Sequence, residues 1–374
     1  MTTATGRIAL FIPSFSDGGV EKQMVALAGG FAQAGYPTDF LTRPGELPYL
    51  DRLDPAVQLI RLPAARNAQR EATIDYLRTQ RPLVLMSAKG KDDLLALDAR
   101  DAAKNAAGGT RVFLRCGIHL SSRPKMVSRN PLRGLWHRWR LRRLYARPDG
   151  VICVSDGVAD DLAQLTGFAR ARIAVIRNPT ISAGFDARLA EPLDDPWFAP
   201  GAPPVILGAG SLAPVKHFEV LIEAAAALMR TRELRLVILG EGKERARLEA
   251  LADALGIRER VRLPGFVGNV LPWMRRAAVF VLSSEREGSP NVVTEALACG
   301  TPVVATDCPS GPREILDGGR FGPLIPIGDA AAMQRAIAAV LDAPLPAASL
   351  QSAIAEYTLP RACAGYLRAF GLAG

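Results

Sequence analysis

A chain of 374 residues, 49% of them hydrophobic and spread along its whole length, exceeds what one ordinary core takes up, so two folded domains are expected and a disordered chain is excluded. Its five cysteines, Cys116, Cys153, Cys299, Cys308 and Cys363, form no close pair and leave one over, which argues against both a disulfide framework and a zinc site. The net charge of +9 favours an anionic partner, and its excess is local: no acidic residue lies between Asp101 and Asp149, where Lys104, Arg111, Arg115 and a run of further arginines accumulate.

The opening "MTTATGRIALFIPS" lacks a charged region followed by a long apolar one, and no apolar run reaches the roughly 18 residues that span a bilayer. A cytoplasmic protein is expected. In chain order, "RIALFIP", "TDFLT", "VQLIRL", "LVLMSA", "RVFLRC", "GVICVS" and "IAVIRNP" are short β-branched runs separated by segments of helical character. Continuous apolar strands of this kind predict a parallel sheet covered on both faces. "PVILGAG", "LRLVILG", "RVRLPGF", "VFVLSS" and "PVVATD" repeat the pattern, which predicts two doubly wound α/β units. The expected division is a domain over 1–182, a Pro- and Gly-rich linker over 183–204, a second domain over 205–345 and terminal helices over 346–374 that return toward the first domain. Pro360 breaks the last segment into a kinked helix or a helix pair.

Ligands of open parallel sheets collect at the carboxyl ends of the strands. Gly18 and Gly19 follow the first strand and precede a helix, where a backbone can approach a ligand; the third glycine of a dinucleotide fingerprint is missing. Lys216 stands at a helix entrance past the strand "PVILGAG" and can pair with a phosphate oxygen. In "SEREGSPNVVTEALACG", Ser289 is expected to cap a helix with Pro290 in its first turn, leaving free N–H groups for a diphosphate. Glu287 before that turn and Glu295 about one turn inside suit the hydroxyls of a sugar and a ribose, because a carboxylate only accepts hydrogen bonds.

"EREGSPNVVTEALACGTPVVATD" resembles the Glu-(seven residues)-Glu signature of family 4 retaining glycosyltransferases, which have the two-domain GT-B fold. The resemblance covers the whole chain in the family's order, through "FIPSFSDGGVEKQMVALAGGFAQAGY", "DGVICVSDGVADDLAQLTGFARARIAVIRNP", "GAGSLAPVKHFEVLIEA", "LVILGEGKERARLEALADALGI", "VRLPGFVGNVLPWM" and "CPSGPREILDGGRFGPLIPIGD". It implies transfer of a sugar from a nucleoside-diphosphate sugar, a UDP-sugar by expectation, to an acceptor hydroxyl, with retention and with no metal or other cofactor. Glu295 would bind the ribose, Glu287 the donor sugar, and the backbone of Ser289, Pro290 and Asn291 the sugar and diphosphate. Lys216 would neutralise the leaving diphosphate. Gly18 and Gly19 would approach the donor phosphates and the acceptor, and the backbone of Phe266 and Val267 would meet the base. His119, past the strand "RVFLRC", resembles the family's active-site histidine. His217 replaces a residue that is often glycine and is expected to be structural. One departure stands out: Ser211 occupies the place of one of the family's two cationic phosphate ligands, with Arg286 and Arg313 as nearby substitutes.

The basic segment "RPKMVSRNPLRGLWHRWRLRRLYARP" mixes arginines with aromatic and aliphatic residues. Plotted as a helix from Pro131, it puts Leu132, Leu135, Trp136 and Trp139 on one face, drifting toward Arg142, Arg143 and Leu144, with Arg138 and Arg140 beside it. Such a face suits an anionic membrane interface, peripheral on the inner side of the cytoplasmic membrane, where a lipid-linked acceptor would be met. No nucleic-acid module accompanies the segment, so nucleic acid is not expected as a partner. Two rivals share these features: a sugar-nucleotide epimerase, and a catalytically silent subunit of the same fold, which Ser211 motivates.

Overall fold

The computed structural model describes residues 6–15, 18–103, 109–122 and 131–372. Lys104, Arg123, Lys125 and Arg129 of the basic stretch lie outside the described residues, as do the side chains of Leu132 and Arg133. The chain forms two compact units, Met1–Pro179 with Tyr357–Gly374, and Thr180–Glu356.

The first unit is built on seven parallel strands: β1 (Ile8–Ile12), β2 (Thr38–Thr42), β3 (Val57–Arg61), β4 (Val84–Ser87), β5 (Arg111–Cys116), β6 (Gly150–Cys153) and β7 (Ile173–Val175), in the order β3-β2-β1-β4-β5-β6-β7. The continuous apolar runs are explained by burial on both faces. Ala9 and Phe11 of β1 enter one core cluster while Ile8, Leu10 and Ile12 enter the other, and Leu85 of β4 is separated from Val84 and Met86 in the same way. The edge strand β3 keeps only Val57 fully buried.

The terminal segment resolves as a helix pair, Ala347–Ser352 in the second unit and Leu359–Ala369 in the first, with Pro360 in the first turn of the latter. Leu359–Ala369 packs on the helix Gly19–Gln33 through Phe31, Tyr366 and Phe370, whose ring centroids lie 6.0 Å apart in each pair. The approach is close enough that a Cβ on Gly30 would stand 2.3 Å from the Cys363 Sγ.

The second unit carries β8 (Val205–Ala209), β9 (Arg235–Leu239), β10 (Val261–Gly265), β11 (Val279–Leu282), β12 (Val303–Thr306) and β13 (Leu324–Ile325), all parallel, in the order β10-β9-β8-β11-β12-β13. Strand β13, absent from the sequence expectation, is two residues long and too short to show a period. Residues 183–204 belong to this unit. They include a short helix, Phe185–Leu189, that packs on the helix Leu271–Arg276, and a turn, Pro196–Phe198, whose Trp197 lies beneath the guanidinium groups of Arg235 and Arg262 at 5.0 and 4.1 Å. In each unit the strand order reverses once, between β1 and β4 and between β8 and β11. In sheets of this kind the crevice at that switch point is where ligands bind.

Candidate active site

At the β8/β11 switch point the loops after the two strands are laced together. Ser283 Oγ donates to the carbonyl of Lys216 at 2.7 Å, and the Glu285 amide donates to the carbonyl of Val215 at 2.9 Å. This lacing brings Lys216, the last residue of the turn Pro214–Lys216, to Glu287: Nζ lies 2.6 Å from Oε1, which also accepts from Ser284 Oγ at 2.7 Å. Both side chains keep some access, at 20% and 14%. His217 has a left-handed φ of 46°, a conformation that favours glycine, which accounts for the usual residue there; its imidazole stands 3.7 Å from a Glu285 carboxylate oxygen.

Glu287 is held from a third side. Ser310 Oγ donates to its carbonyl at 2.8 Å, and Gly311, with φ of 91°, lies so close to the Gly288–Pro290 turn that a Cβ would meet Pro290 at 2.6 Å. The same neighbourhood buries the Cys308 thiol; burial first, then the Glu287 charge, pushes its pKa up to about 12, so it is not a nucleophile. The helix Asn291–Ala298 begins one residue later than expected. Pro290, not Ser289, takes the cap position; it has no donor or acceptor on its side chain, so no side-chain cap forms. Asn291 and Ser289 are half-buried at this helix start, and Glu295 is buried in its second turn at 5% exposure.

After β10, Phe266 is 53% exposed and Val267 half-buried, on the far side of β9 in strand order from Lys216. Ser211 is exposed in the loop after β8. Neither substitute for the missing arginine is a free cation: Arg313 Nε lies 3.0 Å from Asp307 and its Nη2 reaches the other carboxylate oxygen, and Arg286 stands 3.4 Å from Glu285.

In the first unit, Gly18 is extended at φ −85° and ψ 170° and caps the helix Gly19–Gln33, so no left-handed turn demands glycine there, while a Cβ would stand 3.0 Å from the Glu21 Oε2. What surrounds it is a charged network that sequence reasoning left out. Lys89, after β4, pairs with buried Glu21 and donates to the carbonyl of Ser14 at 3.2 Å. Asp92 takes the Ser14 hydroxyl at 2.6 Å and amide at 3.2 Å through Oδ2, while its Oδ1 is buried without a partner among the described residues. Burial raises the Asp92 pKa. "SAKGKDD" directly after an apolar strand is the signal that could have located this cluster.

His119 lies in the loop after β5, with Nε2 3.7 Å from Asp161 Oδ1 and Nδ1 buried without a partner among the described residues. Asp161, on the helix Asp156–Thr166, also accepts from the amides of Leu120 and Ser121 at 2.5 and 3.1 Å, which fixes the loop that carries the histidine. Arg115 is 3% exposed at the end of β5; it donates to Tyr366 Oη at 3.1 Å and Asn178 Oδ1 at 2.6 Å, with Nη1 buried and unpartnered among the described residues.

The basic helix, Pro131–Tyr145, has two apolar sides. Leu141, Leu144 and Tyr145 pack into the core, whereas Leu135, Trp136 and Trp139 remain 62, 50 and 52% exposed. The expected drift of one face from Trp139 to Leu144 is therefore corrected: Leu141, Leu144 and Tyr145 anchor the helix to the core, and the tryptophans stay outside it. Arg140 stacks over Trp136 and Arg143 over Trp139, each at 4.7 Å, and Arg138 and Arg142 are exposed beside them. Among the described residues, no helix is long and apolar enough to cross a membrane.

Residues 17–180 match the family model described as Glycosyltransferase Family 4, and residues 203–343 that described as Glycosyl transferases group 1. Over 324 residues the chain is 30% identical to the lipopolysaccharide core biosynthesis glycosyltransferase LpsE of Rhizobium meliloti, covering 86% of this chain and 85% of that protein. It is 31% identical over 219 residues to an N-acetylgalactosaminyltransferase of Campylobacter jejuni that acts on a diphospho-undecaprenol-linked sugar, covering 58% of this chain and 57% of that one. Among solved structures, a glycosyltransferase from Rickettsia africae superposes with a TM-score of 0.79 at 15% identity, over 98% of both chains. Anabaena HepE in complex with UDP and glucose does so with a TM-score of 0.77 at 16% identity, over 98% of this chain and 99% of that one; at such identities these two establish the fold alone. The chain therefore belongs to glycosyltransferase family 4, with the GT-B fold.

Proposed function

We propose that the chain transfers a sugar from a UDP-sugar to a hydroxyl of a lipid-linked or surface glycan, with retention at the anomeric carbon and without a metal ion. The observation that carries this reading is the 2.6 Å contact of Lys216 with Glu287 at the β8/β11 switch point. In a nucleoside-diphosphate sugar the anomeric carbon and the β-phosphate share one oxygen, so the charges that recognise sugar hydroxyls and phosphate oxygens must be neighbours. Here a cation and an acceptor-only carboxylate are neighbours, presented by loops fastened to one another. Glu287 takes the sugar hydroxyls, Lys216 the diphosphate, the helix start at Asn291 with Ser289 and Pro290 the remaining phosphate oxygens, Glu295 the ribose, and the backbone of Phe266 and Val267 the base.

In the transfer step, the bond from the anomeric carbon to the diphosphate oxygen breaks as the acceptor oxygen bonds on the same face. The acceptor proton passes to the departing diphosphate oxygen, and Lys216 stabilises the negative charge that accumulates on the diphosphate. His119, oriented by Asp161, and the Gly18–Gly19 backbone serve the donor sugar and acceptor on the first unit. UDP as the donor nucleotide is supported by HepE, whose structure holds UDP, and the acceptor class by the lipopolysaccharide and diphospho-undecaprenol relatives. The exposed tryptophans and arginines of Pro131–Tyr145 support docking of the enzyme on the inner, anionic surface of the cytoplasmic membrane.

Titration calorimetry with UDP, GDP and ADP tests the donor site. UDP binds, and Glu295→Ala weakens it about tenfold to a hundredfold, as expected for a hydrogen bond to a charged group. Equal affinity in the variant removes Glu295 from the site. Transfer proceeds at an unchanged rate after treatment with EDTA; a loss restored by magnesium overturns the metal-free reading. Exposed Ser211 in place of a cation favours one second reading, a silent binding subunit, and no binding of any of the three nucleotides would establish it.

A further inference from the structure

The first unit holds a cavity of about 930 Å³ bounded by the basic helix Pro131–Tyr145, the loop after β4 and the start of the helix Arg66–Gln80. Its walls combine apolar surface, including Leu94, Trp139 and Leu141, with cations. Arg147 is neutralised by Asp98 and Asp101, and Arg66 donates to the Lys91 carbonyl. Lys91, Arg140 and Arg143 make no ion pair among the described residues, and no acidic residue is among those lining the cavity. Stacking on Trp136 and Trp139 fixes the planes of the two guanidinium groups.

We infer that this cavity seats the diphosphate and the first apolar units of a polyprenyl-diphosphate-linked acceptor, an assignment that rests on the lipid-linked acceptor proposed above. A diphosphate needs several uncompensated cations at once, and guanidinium planes match its oxygens two at a time. An amphiphile also needs apolar wall next to that charge, and Leu94, Trp139 and Leu141 supply it. The lipid chain leaves along the exposed Leu135 and Trp136, on the same helix. Leu120, another lining residue, follows His119 directly, so the head group is held at the loop that carries the candidate active-site histidine. A surface that attracts anionic membranes in general needs only the exposed arginines; a concave wall of mixed character distinguishes one lipid from the rest.

The test is co-sedimentation of the full chain with phosphatidylcholine vesicles carrying a few mole percent of undecaprenyl diphosphate, against vesicles matched in surface charge with phosphatidylglycerol. The diphosphate vesicles bind about tenfold more tightly. A Lys91→Gln/Arg140→Gln double variant loses that preference, while its UDP affinity, read by calorimetry, stays at the parent value. Trp139→Ala, which removes an exposed ring, lowers the preference as well and serves if the double variant does not fold. Equal binding of the parent chain to both vesicles overturns the inference, as does a preference retained in the variants. The donor reading fails separately: a parent chain that prefers diphosphate vesicles but binds no nucleotide leaves the lipid seat standing and the transfer reading sunk.

Discussion

A Lys216→Met variant transfers sugar about a hundredfold to a thousandfold more slowly than the parent chain, with a much smaller change in UDP affinity. Methionine keeps the length and apolar stem of lysine and removes the charge, so the change falls on electrostatics. The bound donor already carries its diphosphate charge, and further charge reaches the leaving oxygen only as the glycosidic bond breaks. A cation fixed at that oxygen therefore acts more on the transition state than on the ground state. Fixation is what the geometry supplies: the Lys216 carbonyl is held by Ser283, the neighbouring Val215 carbonyl by the Glu285 amide, and Nζ by Glu287.

Stability moves little in the same variant, because a partly accessible ion pair contributes about 0–1 kcal/mol, and the exposures of 20% and 14% leave Glu287 both water and Ser284 once the ammonium is gone. A melting temperature close to the parent's with a collapsed rate is the expected pair of results. Glu287→Gln lowers transfer in its turn, and the double variant shows less than the product of the two losses, since the groups touch. Parent-like transfer by Lys216→Met would remove the lysine from the chemistry.

The inner strands were legible because a sheet covered on both faces leaves them few solvent-facing positions: every residue of β1 and β12 is buried, and "IALFI" and "VVAT" are correspondingly apolar but for the last threonine. β13 was not legible, since two residues cannot display a pattern. Lys216 and Glu287 were legible as types, each after a strand, but they are 71 positions apart and nothing in spacing announces that they touch. The family resemblance supplied their roles, and the fold supplied the contact. Asp161 illustrates the opposite case. In "SDGVADDLAQL" it reads as one more acid on a solvated helix, yet it is 6% exposed and organises the His119 loop, because the loop after β5 folds over that helix face. On the basic helix the sequence put Trp136 and Trp139 on a face suited to a membrane, and they stay exposed; what the spacing did not separate from that face is Leu144, which with Leu141 and Tyr145 packs against the core.

Gly240→Ala destabilises the second unit by about 3 kcal/mol or more, and the chain's main transition falls by roughly 6–12 °C. Gly240 follows β9 with φ of 132°, and a Cβ there would stand 1.9 Å from the Gly210 carbonyl oxygen, which no rotation of a side chain can relieve. The two loops are fastened backbone to backbone: the Gly210 amide donates to Leu239, the Leu212 amide to Glu241 and the Glu244 amide to Leu212, at 2.9, 2.8 and 3.1 Å. To admit a methyl group, the loop 208–212 must move as a piece, and Ser211 and the Lys216 turn move with it. UDP affinity therefore falls together with stability. Gly256→Ala separates this steric effect from backbone strain. Gly256 also has a left-handed φ, 70°, but nothing lies within 4 Å of its Cβ position, so alanine there costs about 1–2 kcal/mol and leaves UDP affinity unchanged. If the two variants melt together and both bind UDP like the parent, the loop after β8 is not rigidly held by β9, and the placement of Lys216 must come from the β11 side alone.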